Sequence, residues 1–292
     1  MTRDPNRVPT VADVSGAAMA AWPDKGKASL MALKPLAEDI VTALRFYSRL
    51  PLPEWGEAPH AAPNLDRLAY AIPLAGAVLG ALGGLVLLAA ASGLHLSPFL
   101  SAALAVTTLV LITGALQEDA LADTADGFGG GRDRERRLAI MRDSRVGSFG
   151  ATALVLALLL RVGILEALIA RADPGRAALA LLAAAAASRA TGILMLRALP
   201  SARADGASAS VGQPAPRAAV SCALVAALVV VLVLVPCFGV TTAFAGLLAP
   251  LAVLAVMGLL SARLLGGQTG DVAGATQQIS EIVFLLAVLI FA

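Results

Sequence analysis

The chain has 292 residues, of which 58% are hydrophobic and 14% charged, with a mean hydropathy of +0.81. That is too apolar for an ordinary soluble domain and predicts an all-α, polytopic membrane protein, a helical bundle of six or seven spans with polar loops at its cytoplasmic end. A net charge of +2 selects no charged partner, nothing resembles a nucleic-acid module, and Cys222 and Cys237 lack ligand or redox spacing and read as small apolar side chains.

In chain order, residues 1–35 are polar, carry Pro and Gly, and are expected to form a flexible N-terminal extension without a signal peptide, ahead of a membrane-embedded domain over 36–292. Residues 36–50 (LAEDIVTALRFYSRL) predict an amphipathic helix on the inner leaflet, stopped by Pro51 and Pro53. Arg45 and Arg49 on it are candidate phosphate contacts. Apolar runs able to span follow at about 68–92, 98–117, 149–170, 177–197, 218–236 and 241–265. A seventh, 279–292, is short alone but spans as the end of a helix begun near Thr269. With the N-terminus inside, the inner segments hold eighteen of the 22 Lys and Arg residues and the outer turns two (Arg171 and Arg176). This places the polar loops 118–148, 200–206 and 266–281 together on the cytoplasmic side of a bacterial inner membrane.

The most informative stretch is 118–150, with Glu118, Asp119, Asp123, Asp126, Asp133, Glu135 and Asp143 between two apolar runs. Asp119, Asp123 and Asp126 are spaced i, i+4, i+7, so on a helix they share one face within a wedge of roughly 60°. Carboxylates so close repel, and a hard divalent cation, most naturally Mg²⁺ holding a phosphate, relieves that repulsion. Gly127, Gly129, Gly130 and Gly131 are expected to end this helix in a turn that lets backbone N–H groups approach an anion. Arg132 to Arg145 then supplies six guanidinium groups in fourteen residues, chemistry suited to a metal-bridged pyrophosphate.

Further along, Arg161 is expected to pair with Glu166. Arg189, inside an apolar span, must face the bundle interior or a polar cavity. Arg203 and Asp205 close the next hairpin. The small-residue face of 179–189 offers a surface for a homo-oligomer. The segment GGQTGDVAGATQQISE (266–281) breaks two apolar runs and makes Asp271 and Glu281 candidates for metal or substrate contacts.

The run from Asp119 to Gly127 (DALADTADG), with Gly130-Gly131, Arg137-Leu138, Ile140-Met141, Asp143-Ser-Arg-Val-Gly147 and Phe149-Gly150, closely resembles the cobalamin synthase family. The resemblance extends to Arg45-Phe46, Arg49-Leu50-Pro51, Ser188-Arg189, Ala202-Arg203, Asp205-Gly206, Thr269-Gly270-Asp271, Gly274-Ala275 and Glu281. Where that family reads His-x-Asp-Gly, this chain has Gln117-Glu118-Asp119-Ala120, and Ser48 replaces a commoner Thr. The resemblance implies a Mg²⁺-dependent transferase that displaces GMP from adenosylcobinamide-GDP with a ribose hydroxyl of α-ribazole or α-ribazole 5′-phosphate. It further implies that Asp119, Asp123 and Asp126 hold Mg²⁺, that one of them or Asp143 accepts the hydroxyl proton, and that Arg137, Arg145 and Arg189 stabilise the leaving group. Arg45, Arg49, Gly130, Gly131, Arg203, Asp205, Asp271 and Glu281 complete the expected substrate site. Two other readings stand beside it: a CDP-alcohol phosphotransferase, on the fragment Asp123-x-x-Asp126-Gly127, and a cation or metabolite transporter.

Overall fold

The computed structural model describes residues 25–53 and 64–292 and contains two compact units, Met1–Glu38 and Asp39–Ala292. In the first unit, helix α1 (Lys25–Tyr47) begins, and Lys34 and Glu38 pair one turn apart at 3.9 Å. Part of the expected flexible extension is therefore helical from Lys25 onward, and its residues 1–24 lie outside the described residues.

In the second unit α1 ends at Tyr47, four residues before Pro51, and the Ser48 hydroxyl donates to the Leu44 carbonyl at 2.6 Å. The end of α1 is no mere surface helix. Ala43, Leu44 and Tyr47 are buried against Leu65, Ile72 and Ile193. There follow α2 (Leu65–Leu68), α3 (Ala71–Leu88, continued by a π-helical turn to Gly93), α4 (Pro98–Thr113), α5 (Leu116–Gly130) and α6 (Arg134–Ile140). The remainder is α7 (Ser148–Arg171), α8 (Pro174–Ala198), α9 (Ala207–Val211), α10 (Pro216–Phe238), α11 (Val240–Leu265) and α12 (Gly270–Phe291). Side-chain caps set several starts: Ser97, Asp133, Asp173 and Thr269 each accept a backbone N–H from the first turn, and proline opens α4, α8 and α10.

Six of these helices, α3 with its π turn, α7, α8, α10, α11 and α12, are long and apolar enough to cross a membrane. Leu85, Leu111, Leu159, Leu224, Leu232 and Leu259 are each more than 60% exposed, an outward apolar surface that suits lipid rather than water. The expected run 98–117 behaves differently. It stops at Thr113, where Gly114 (φ +63°) and Ala115 (φ +58°) are both left-handed, and α5 leaves at 87° to α4. The pair α4–α5 makes a seventh span only if it is counted as one broken helix; α5 alone is too short and too charged to cross.

The alanine-rich α8 is the most buried spanning helix. Gly76, Gly80 and Gly84 of α3, one turn apart, lie against its backbone: a Cβ on Gly80 would sit 2.7 Å from Leu182 Cα, and one on Gly76 would overlap the Ala185 carbonyl oxygen. The small-residue face of 179–189 is thus used inside the chain, by α3, as close glycine packing in membranes predicts. Gly80→Ala is expected to cost about 1–3 kcal/mol by overpacking. Gly163→Ala on α7, where an added Cβ meets nothing within 4 Å, is expected to be neutral or better. Thermal unfolding in detergent compares the two.

Candidate active site

Three polar segments distant in the chain converge at one end of the bundle. Arg134 of α6 donates from Nε to the Leu265 carbonyl and from Nη2 to the Ala202 carbonyl, both at 2.7 Å. Ala202 N–H donates to Gln268 O (2.7 Å) and Gln268 N–H to Pro200 O (2.8 Å), a short parallel bridge with no room for a side chain at Gly267. Arg142 pairs with Asp205 at 2.6 Å. Nothing in the spacing of Arg134 distinguished this stapling residue from its neighbouring arginines.

Between these segments and the end of α1 lies a cavity of about 250 Å³. Asp119 and Asp271 line it, as does Gln117. Asp123, one turn beyond Asp119 on α5, is half-buried. Burial first, and then the charges of Asp119, Asp271 and Asp126, push the Asp123 carboxyl up from 3.8 to about 6, while Arg203 opposes the shift. Arg203 donates from Nη2 to Asp271 Oδ2 at 2.7 Å, leaving Asp271 Oδ1 outside that bond. Two of the three expected carboxylates, Asp119 and Asp123, thus lie together, with Asp271 of α12 joined to them.

A raised carboxyl pKa binds its proton more tightly in the folded state. Its stabilising contribution is complete below about pH 3.8 and is lost as pH rises through about 6. In metal-free protein, Asp123→Asn is accordingly expected to raise the melting temperature above pH 6 and to leave it unchanged below pH 4. A pH series of thermal melts in chelator tests this.

Other expected site residues have different partners. Asp126 does not face the cavity with Asp119. Its Oδ2 accepts Gly147 N–H at 2.7 Å and its Oδ1 accepts Gly150 N–H at 2.8 Å, so it caps the start of α7. A Cβ on Gly147 or Gly150 would collide with this carboxylate, which explains the glycines there. The glycine cluster does end α5, which runs through Gly127 and Gly129 to Gly130 and stops before Gly131. Gly127 and Gly129 make room for Met141 and Phe149, Gly131 lies against the Arg137 backbone, and Gly130 meets only Ile140 at ordinary contact. Arg137 is half-buried, with its Nε lacking a hydrogen-bond partner among the described residues. Asp143 and Arg145 pair with each other at 2.7 Å, exposed, and that guanidinium pulls the Asp143 carboxyl down to about 2, which makes it a poor proton acceptor. Arg45 is half-buried on α1, and Arg49 packs across the Gly114 bend.

Arg189 and Glu281 lie deeper, outside the cavity lining. Arg161 does not pair with Glu166. It donates from Nη1 to Glu118 Oε1 (2.7 Å) and from Nη2 to Glu281 Oε1 (2.8 Å), and Arg189 Nη1 donates to Glu281 Oε2. All four side chains are at least nine-tenths buried. Two guanidiniums and two carboxylates cancel, which is how a span tolerates charge in its interior. Gln278 adds a bond to Glu118 Oε1 at 3.3 Å.

The sequence matches the family described as cobalamin-5-phosphate synthase over residues 39–289. The chain belongs to that family. An adenosylcobinamide-GDP ribazoletransferase of Xanthobacter autotrophicus is 65% identical over 263 residues, covering 89% of this chain and 99% of the relative. One from Azorhizobium caulinodans is 58% identical (87% and 96% covered), and one from Rhizobium etli 44% (88% and 98%). No solved structure matches. This cobalamin-5-phosphate synthase family member is thus an enzyme of cobalamin synthesis with membrane-spanning helices.

Where the resemblance expects His and Gly, Gln117 is buried and donates from Nε2 to Gln277 Oε1 at 3.5 Å, and the Ala120 methyl faces Gly274, where a second Cβ would not fit. The extra methyl is accommodated by the glycine opposite it.

Proposed function

We propose that the protein joins adenosylcobinamide-GDP to α-ribazole or α-ribazole 5′-phosphate, releasing GMP, in a Mg²⁺-dependent reaction at the cytoplasmic face of a bacterial inner membrane. The observation that carries this reading is the pair Asp119 and Asp271 lining a cavity, with Asp123 and Arg203 beside them, in a chain of this family. The excess of Lys and Arg in the polar loops supports the orientation.

The donor set fits the ion. No three acidic, His or Cys side chains among the described residues form a metal cage, and Mg²⁺ characteristically takes only one or two carboxylates, with substrate phosphates and water completing its shell. Asp119 and Asp123 would hold it, the burial and then the neighbouring carboxylates that raise the Asp123 carboxyl being conditions a bound cation relieves. Bound there, Mg²⁺ supplies positive charge against the pyrophosphate. Arg203, beside Asp271, adds a guanidinium for the charge that grows on the departing GMP. The ribose hydroxyl oxygen forms a bond to the phosphorus on the cobinamide side, the bond from that phosphorus to the oxygen bridging to GMP breaks, and GMP leaves with the electron pair. Asp271 Oδ1 accepts the hydroxyl proton. Catalysis of this kind is mostly positioning and charge stabilisation.

The test is GMP release and cobalamin formation by membranes containing the protein, supplied with adenosylcobinamide-GDP, α-ribazole and Mg²⁺. Production of both that stops with chelator supports the transferase. Absence of both from a folded, inserted sample refutes it.

A further inference from the structure

The cavity at the carboxylates is larger than a phosphoryl site needs, and most of its wall carries no charge. Phe46, Leu65, Ile193, Leu196 and Val211, from α1, α2, α8 and α9, make an apolar wall in the cavity, a pouch that Asp119 and Asp271 also line. Three polar side chains cross its inner end in one chain: Gln117 Nε2 donates to Gln277 Oε1 (3.5 Å), and Gln277 Nε2 donates to the Tyr47 hydroxyl (3.3 Å). Gln277 is held in place, because any Cβ on Gly192 would overlap its amide nitrogen. The Tyr47 hydroxyl accepts in this chain, so its own proton can be donated elsewhere. The second amide hydrogen of Gln117 is likewise outside the bond to Gln277.

We propose that this pouch holds the aromatic base of the attacking nucleoside, and that Ile193, Leu196 and the Gln117–Gln277–Tyr47 chain determine which base is accepted. The inference rests on the transferase reading above and deepens it. Size selects between the two substrates: a cavity of about 250 Å³ takes a bicyclic base and is several times too small for a corrin macrocycle. Chemistry selects in the same direction. A benzimidazole carrying its sugar on one ring nitrogen is apolar over both faces and offers one acceptor, the second ring nitrogen. An apolar pouch with hydrogen-bond donors at its inner end matches that pattern. Position completes the match, since a base seated here carries its ribose hydroxyls back toward Asp119 and Asp271 at the opening.

Gln117 thereby has a role as a donor that reads the base, and Gly192 is a positioning residue acting through Gln277. Filling the pouch should exclude the base without disturbing the corrinoid partner, and widening it should change which base is preferred. A pocket that measures apolar size discriminates by about 10–200-fold per methylene.

The experiment uses the full chain in detergent and measures α-ribazole binding by equilibrium dialysis, together with initial rates of GMP release. In Leu196→Trp, the Kd and KM for α-ribazole are expected to rise by about 10-fold or more, with the KM for adenosylcobinamide-GDP unchanged. The unchanged KM reports that the variant is folded. In Ile193→Ala, preference is expected to shift toward ribosides of bases larger than dimethylbenzimidazole, a gain that misfolding cannot mimic. In Gly192→Ala, with Gln277 displaced, the KM for α-ribazole is expected to rise more than kcat falls. Binding of α-ribazole that is indifferent to Leu196→Trp, or a rise in the adenosylcobinamide-GDP KM instead, overturns the assignment. So does a pouch filled by a lipid acyl chain, seen as activity that varies with lipid while base preference stays fixed in every variant. Wild-type protein that binds α-ribazole with these mutational effects yet releases no GMP would uphold the subsite and refute the transferase.

Discussion

Asp123→Asn is expected to reduce GMP release from adenosylcobinamide-GDP by about 10²–10³-fold, corresponding to about 3–4 kcal/mol of lost transition-state stabilisation. The substitution keeps shape and removes the charge that, with Asp119, would hold the cation against the pyrophosphate. Asp119→Asn is expected to act similarly, and the double variant to cost little more than either single one, because the two residues serve one ion. Asp143→Asn is the informative control. That carboxylate is exposed and already satisfied by Arg145, so its loss is expected to leave turnover nearly unchanged. Initial rates on membranes with matched protein content check all four. The Asp123→Asn protein is also expected to be more stable than wild type above pH 6 without metal, since the crowded charge is gone. Lost activity in a more stable protein distinguishes a functional carboxylate from a structural one.

Glu281→Ala is expected to destabilise the bundle by about 3–5 kcal/mol, the cost of leaving buried charge uncompensated. Glu281 accepts from both Arg161 and Arg189, so its removal leaves two buried guanidiniums facing the single carboxylate of Glu118. Set against the 5–15 kcal/mol by which folded proteins are typically stable, this is a large fraction. The loss is expected to appear as a lowered melting temperature and reduced yield, with the KM for both substrates unchanged in whatever protein remains folded. A raised KM at full stability would instead return Glu281 to the substrate site.

Much of this architecture was legible in the sequence because the bilayer imposes it. Apolar runs of the required length became helices at nearly the expected positions, and α12 begins at Gly270, directly after Thr269, whose hydroxyl caps it. The convergence of the polar loops followed from the same topology. The bend after α4 was not legible: Gly114 permits a left-handed residue, but Ala115 adopting one is dictated by its surroundings and not by its own preference. The charge network was also hidden, because Arg161 finds partners 43 and 120 residues away and passes over Glu166 five residues on. Spacing put Asp119, Asp123 and Asp126 on one helix, which the structure has as α5. It gave no sign that the backbone of Gly147 and Gly150 already occupies Asp126. The alanine-rich face of α8 read as a surface for another chain, and the glycines of α3 that cover it lie about a hundred residues earlier.

The most direct test of the cation site is a Mn²⁺ titration of purified protein with adenosylcobinamide-GDP present, followed by electron paramagnetic resonance of the free ion. The wild-type chain is predicted to bind one Mn²⁺ displaceable by Mg²⁺, and Asp123→Asn to lose that binding while remaining folded. Equal Mn²⁺ binding by Asp123→Asn and wild type would contradict the assignment of Asp119 and Asp123 as the residues that hold the metal.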